Sequence, residues 1–261
     1  MQLWSRSFLA LILAGAVVLT SVAAVQAEGW GTIKGQVVWA GKDVPKRKKI
    51  DLGQNQDKAE CLKNGPLIDD RLVVNSKNKG VRWAAVYLMS TDGFKKAIPI
   101  HPSLKEIKKK VVEVDQPCCL FEPHMLAVRQ GQTLVFKNSA KIPHNVKIDP
   151  EPSINQLLPP GGQIKLEDLK ARALPLSIAC NIHGWMSGKV FVLSHPYFAV
   201  TDEDGNFEIK DAPAGNFRLV VWHEEIGWVA GDGKPSRNGK KITIKAGETT
   251  DLGKFPLKPA E

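Results

Sequence analysis

Sulfur, imidazole and tyrosine are in short supply in this sequence of 261 residues, which has 4 Cys, 4 Met, 6 His and 2 Tyr. None of the histidines stands two positions from another, so the His-x-His pairs that assemble trinuclear metal clusters are absent. Helical periodicity is nearly missing as well: "QIKLEDLKARAL", residues 163–174, is the one stretch with a helix-like pattern, and the expectation is an all-β chain. Beyond the first 27 residues no apolar run approaches the ~20 residues of a membrane helix, which leaves no helical span in the remainder. Lys and Arg total 36 against 27 acidic residues, a formal charge of +9. The basic residues are not interleaved with aromatics along one face, which argues against nucleic acid as a partner. Asp202-Glu203-Asp204 lacks the spaced ligands and terminal Glu of a calcium loop and reads as a hairpin tip.

The chain begins with Arg6, an uncharged apolar run and "VQA" before Glu28. That pattern reads as a secretory signal peptide over residues 1–27, cut after Ala27, in preference to an uncleaved anchor. The expectation is therefore an exported protein, periplasmic or secreted. The basic excess gathers in Lys46–Lys49 ("KRKK") and Lys105–Lys110 ("KEIKKK"). Such runs read as solvated loops, or as docking patches for an acidic partner.

Within "CNIHGWM", Cys180, His183 and Met186 fall at C-x2-H-x2-M between the strand-like runs "LPLSIAC" and "GKVFVLS". About thirty-six residues earlier, "KIPHNVKI" places His144 just after a Pro143 turn, where a strand resumes. Singly, a Cys on an apolar strand is core filler, a His after Pro is a turn residue and a Met near Trp is packing. Jointly they supply one thiolate, two imidazoles and one thioether, the donor set of a blue-copper site. Cys180 is the one cysteine on the loop, so a dinuclear centre is excluded and the copper site is mononuclear. With four protein ligands it has no open position for substrate, which points away from an enzyme.

"GQTLVFKNSAKIPHNVKI" followed by "LSIACNIHGWMSGKVFV" resembles the cupredoxins, the amicyanin and plastocyanin group in particular, over residues 111–194. The resemblance implies a Greek-key β-sandwich in which His144 and His183 are imidazole ligands, Cys180 the thiolate and Met186 the axial thioether. It also implies that Asn145 ties the two ligand loops together, as groups behind metal ligands commonly do. Asn181 stands where the family places Thr or Ser, so the donor of that tie is open. Trp185 is expected either to form an apolar docking patch or to close the site against water. His124 in "CCLFEPHMLAV" is a candidate extra ligand, with a strand-surface role as the plainer reading. His195 and His223 are expected to pack, and His101 carries no signal.

With Cys180 on the metal, Cys61, Cys118 and Cys119 remain, and an oxidising compartment would pair two of them. Adjacent Cys118 and Cys119 bridge each other only with strain. Cys61 with one of that pair is expected, Cys119 being preferred.

The flanks carry alternating runs: "GTIKGQVV" and "AAVYLMS" before the metal segment, then "TDEDGNFEI", "PAGNFRLVV" and "ITIKAGETT" after it. Their order resembles the carboxypeptidase regulatory-like, or prealbumin-like, sandwich. That resemblance implies residues 28–110 plus 195–261 as one discontinuous sandwich with residues 111–194 inserted; three modules in series is the alternative. The function implied is electron transfer to a redox partner protein, acidic if the lysines dock it. Copper carriage without cycling, or surface recognition with a structural metal, are the alternatives. An exposed His183 edge would favour electron transfer, and a sealed one the others.

Overall fold

Alternation with a period of two dictates most of the architecture. Along Val111–Val114, for example, Val112 and Val114 turn inward while Val111 and Glu113 face out. The computed structural model describes residues 29–149 and 151–258, so the expected signal segment lies outside the described residues. Among these, no helix is long and apolar enough to cross a membrane.

The chain is all-β. It runs through β1 (Trp30–Trp39), the one-turn helix α1 (Lys58–Cys61), β2 (Val73–Val74), β3 (Val81–Arg82) and β4 (Ala85–Ser90). The middle holds β5 (Val111–Cys118), β6 (Leu120–Glu122), β7 (Met125–Arg129), β8 (Thr133–Lys137), β9 (His144–Asp149), β10 (Ile154–Leu158), β11 (Gln163–Leu166), β12 (Leu176–Ala179) and β13 (Ser187–Leu193). It closes with β14 (Phe198–Val200), β15 (Asn206–Pro213), β16 (Gly215–His223), β17 (Gly227–Val229), β18 (Lys240–Ile244) and β19 (Thr249–Leu257).

A central sandwich faces the sheet β10-β9-β12-β13-β7 against β11-β8-β5-β6. Its core includes Val114, Phe136, Val146, Ile148, Ile178 and Val190. A flanking sandwich faces β15-β1-β19 against β14-β4-β16-β17, with β18 on β16. Here β1 pairs β15 (Ile33 opposite Ile209) and runs parallel to β19 (Val37 opposite Phe255). β4 pairs β16, with Leu88 opposite Leu219. Strands on either side of the central segment thus share both flanking sheets.

The sheets stack in four layers because β4, β7, β13 and β16 are apolar on both faces. In β4, Val86 and Leu88 enter the flanking core, whereas Ala85, Tyr87 and Met89 face the other way. Those three, with Val220 and Trp222, meet Met125, Phe191 and Leu193 of the central sandwich. Phe191 lies between Tyr87 (5.6 Å) and Trp222 (5.2 Å). Each large side chain so buried stabilises the seam by on the order of 2 kcal/mol.

Three expectations are corrected. The helix-like stretch begins as β11, an edge strand on β8, and Asp168 at φ 53° interrupts it before a helix can form. Asp202-Glu203-Asp204 with Gly205 makes a tight turn, but not a hairpin tip: β14 joins β4 while β15 joins β1, so the turn carries the chain from one sheet to the other. Gly205 is required there, since at φ 77° a Cβ would lie 2.2 Å from the Val37 carbonyl. Finally, residues 50–68, grouped with the flanking unit by sequence, bury Leu52, Cys61 and Leu67 in the central core. Their polar composition hid three well-spaced apolar anchors.

Candidate metal centre

Two hydrogen-bonded turns hold the loops that carry the candidate ligands. Ahead of β9, Asn138 Nδ2 donates to the carbonyls of Ile142 (2.9 Å) and Leu158 (3.0 Å), fixing the bend that delivers His144. Between β12 and β13, Cys180 N–H donates to the Met186 carbonyl (3.2 Å) and Met186 N–H to that of His183 (2.8 Å). These two bonds close the seven-residue loop on itself.

His144, Cys180 and His183 each offer one donor atom, all within 4.8 Å of one another and all buried. The two Nδ1 atoms face each other at 2.9 Å, and Cys180 Sγ lies 4.0 Å from His183 Nδ1. Met186 is buried in the same core. Asn145 N–H donates to Cys180 Sγ at 3.4 Å. Burial alone would push the Cys180 thiol up; hydrogen bonds involving His144 and His183, aided by the Asn145 and His183 backbone, bring it down instead to about 5. His183 moves the other way: burial disfavours its charge, but Cys180 and Asp57 hold it above the usual imidazole value. A buried cysteine sulfur and two imidazole nitrogens within 4.8 Å of one another suit a soft, one-electron metal such as copper.

The loop-to-loop tie uses backbone. Asn181 N–H donates to Asn145 Oδ1, while the side chains of Asn145 and Asn181 both reach Asn155 Oδ1, the latter at 3.3 Å. The side chain of Asn181 is therefore not the donor to Asn145.

Solved structures similar to part of the chain include a purple cupredoxin from Nitrosopumilus maritimus, at 18% identity, TM-score 0.27, covering 31% of this chain and 97% of that one. An oxidised amicyanin variant matches at 22% identity and TM-score 0.29, covering 41% of this chain and 97% of its own. A copper-containing nitrite reductase from Thermus scotoductus SA-01 matches at 20% identity and TM-score 0.29, over 36% of this chain and 25% of that one. A family model described as polysaccharide lyase family 4, domain II, matches residues 186–252, from β13 into the flanking sandwich. No curated protein matches. The prealbumin-like resemblance of the flanks has no counterpart among these.

His124 does not join the donor cluster. The turn after β6 aims it at the flanking sandwich, where Nε2 lies 2.6 Å from Glu224 Oε2 and Lys189 completes the group at 3.3 Å. Burial would raise the Glu224 carboxyl, but His124 and Lys189 hold it below the ordinary range. Cys61 and Cys119 form a disulfide, with Cys118 Sγ donating to the Cys61 carbonyl at 3.3 Å. Both disulfide sulfurs sit beside His183, but being bonded to each other they are not thiolates for a metal. Trp185 donates through Nε1 to the Cys119 carbonyl (3.1 Å) and lays its ring 5.2 Å from that of His183. Of its two expected roles, closing the site is the one this geometry supports.

Three participants carry no spacing signal. Asp57 Oδ2 lies 3.0 Å from His183 Nε2, Asn55 Nδ2 donates to the Ile182 carbonyl at 3.3 Å, and Asn155 bridges the ligand loops. Asp57 and Asn55 sit more than a hundred residues from the loop they touch, so proximity could not be read from the chain.

Proposed function

We propose that this chain is a mononuclear type-1 copper protein that transfers electrons, with His144 and His183 as imidazole ligands, Cys180 as thiolate and Met186 as the weak axial thioether. The observation that carries the reading is the buried convergence of His144, Cys180 and His183 donors within 4.8 Å, from two loops braced by hydrogen bonds. Copper bound there would supply a one-electron couple. The protein supplies rigidity: Asn138 and Asn145 fix His144, the closed loop fixes Cys180 and His183, and the core excludes water, so little rearranges between valences. Export to the periplasm or beyond, and a redox partner protein with an acidic face meeting the exposed lysines, belong to the same proposal.

His183 is fully buried, and that favours a second reading in which copper is held without cycling. One visible spectrum tests the copper assignment: the copper-loaded protein is expected to be intensely coloured by thiolate-to-copper charge transfer, and Cys180→Ser to bleach it. A colourless wild-type complex would overturn the assignment. Voltammetry then separates the two readings, a reversible couple without metal loss supporting electron transfer and an irreversible one the static site.

A further inference from the structure

His183 presents one ring nitrogen to the donor cluster and the other to a carboxylate. Nε2 lies 3.0 Å from Oδ2 of Asp57, which belongs to residues 50–68, outside both ligand loops. That segment is strapped across the end of the central sandwich. The Cys61–Cys119 disulfide ties it covalently, Asn55 reaches the ligand loop at the Ile182 carbonyl, and Leu52, Cys61 and Leu67 sink into the core. Asp57 is itself fixed, its N–H donating to Asn55 Oδ1 (2.9 Å) and its carbonyl accepting from Cys61 N–H (2.9 Å). Its side chain keeps only 17% exposure and that of His183 none.

We infer that Asp57 is a positioning residue of the copper centre. Its carboxylate accepts the Nε2–H of His183, fixes the tautomer that leaves Nδ1 free for the metal, and lowers the reduction potential. The inference rests on the copper reading above. Two physical effects act in the same direction. A carboxylate behind an imidazole makes the ring a stronger donor and locks its orientation. A negative charge one ring away, in a site shielded from water, favours Cu(II) over Cu(I).

The test uses full-length protein loaded with copper alone, comparing wild type with Asp57→Asn, Asp57→Ala and the control Glu60→Gln, a carboxylate on the same segment that pairs with Lys63. Asp57→Asn keeps the shape and an acceptor oxygen but removes the charge. Both Asp57 variants are expected to raise the midpoint potential, shifting the Cu(I):Cu(II) preference by on the order of tenfold, the scale on which groups behind ligands alter metal affinity. Glu60→Gln should leave the potential unchanged. In the diamagnetic Cu(I) protein, the His183 Nε2–H proton should be far downfield and slow to exchange in wild type, and should exchange faster in Asp57→Ala. A wild-type potential in a coloured Asp57→Asn protein would overturn the inference while leaving the copper reading intact, as would an equal rise in Glu60→Gln. A colourless wild type would remove both. If Asp57→Ala does not fold, Asp57→Asn decides.

Discussion

The central and flanking sandwiches share one grammar of alternating strands and aromatic anchors, yet they use their buried polar residues in opposite ways. In the flanking sandwich each such group serves its own backbone. Thr201 accepts from Ala84 N–H (2.9 Å) and donates to the Val81 carbonyl (2.7 Å), His195 accepts from Tyr197 N–H (3.2 Å), and His223 from Glu225 N–H (3.3 Å). In the central sandwich His144, Asn145 and His183 instead bond from one loop to another and converge at one end. Chemistry here comes from convergence of loops and not from the fold beneath them.

Damage to each sandwich in turn separates the two roles. Cys180→Ser or His144→Ala should abolish the colour, and His144→Ala should also lose copper, with unfolding little changed in the metal-free protein. Phe255→Ala, in the flanking core, should cost about 4 kcal/mol in denaturant unfolding yet leave the spectrum of the folded protein unchanged. Bleaching by Phe255→Ala would show that the two sandwiches do not divide the labour.

A pH titration gives the next largest effect and belongs to the flanking side. Burial lowers both His195 and His223 from 6.5 to about 4. The unfolded chain therefore binds protons that the folded chain refuses. Stability should be full above about pH 6.5 and fall as pH drops towards 4, by on the order of 3 kcal/mol for each histidine. Replacing both with Gln should flatten that slope in chemical denaturation; a slope unchanged by the double variant would assign the acid sensitivity elsewhere.

Met186→Leu should act more mildly than the other ligand substitutions, keeping copper and raising the reduction potential, because a weak axial ligand tunes more than it holds. Copper loss equal to that of His144→Ala would make Met186 a full anchor. Smallest of all, exchange with an acidic redox partner should slow as salt rises if Lys46–Lys49 or Lys105–Lys110 steer it, and stopped-flow rates against ionic strength would read this.

How far the sequence alone reached follows the same divide. The cluster of His144, Cys180 and His183 was legible in part: the latter two share a seven-residue stretch, and His144 stands at a strand entrance; Met186 is a candidate by that same spacing. The all-β class was legible because alternation is local too. What stayed hidden depends on contacts distant in the chain: Asp57 meets His183 across 126 positions, and Asn155 reaches Asn181 across 26. Turn grammar also misled at Asp204-Gly205, because a tight turn is the same whether its two strands pair or part for different sheets.

The interleaving of β1 and β4 with β15, β16 and β19 sets an order of events as the chain is made. Ala85–Ser90, "AVYLMS", emerges early, and its partner β16 begins only at Gly215. Meanwhile the strands of residues 111–194, whose pairings are closer in sequence, can close first. Until the last third of the chain arrives, β4 is an apolar strand with open edges and two sticky faces, the kind of segment that pairs with copies of itself. The feature that joins the layers in the finished molecule is thus the one most exposed to aggregation while it is being built, and a truncation before Gly215 should show this as insoluble protein even when the loops of His144 and Cys180 are intact.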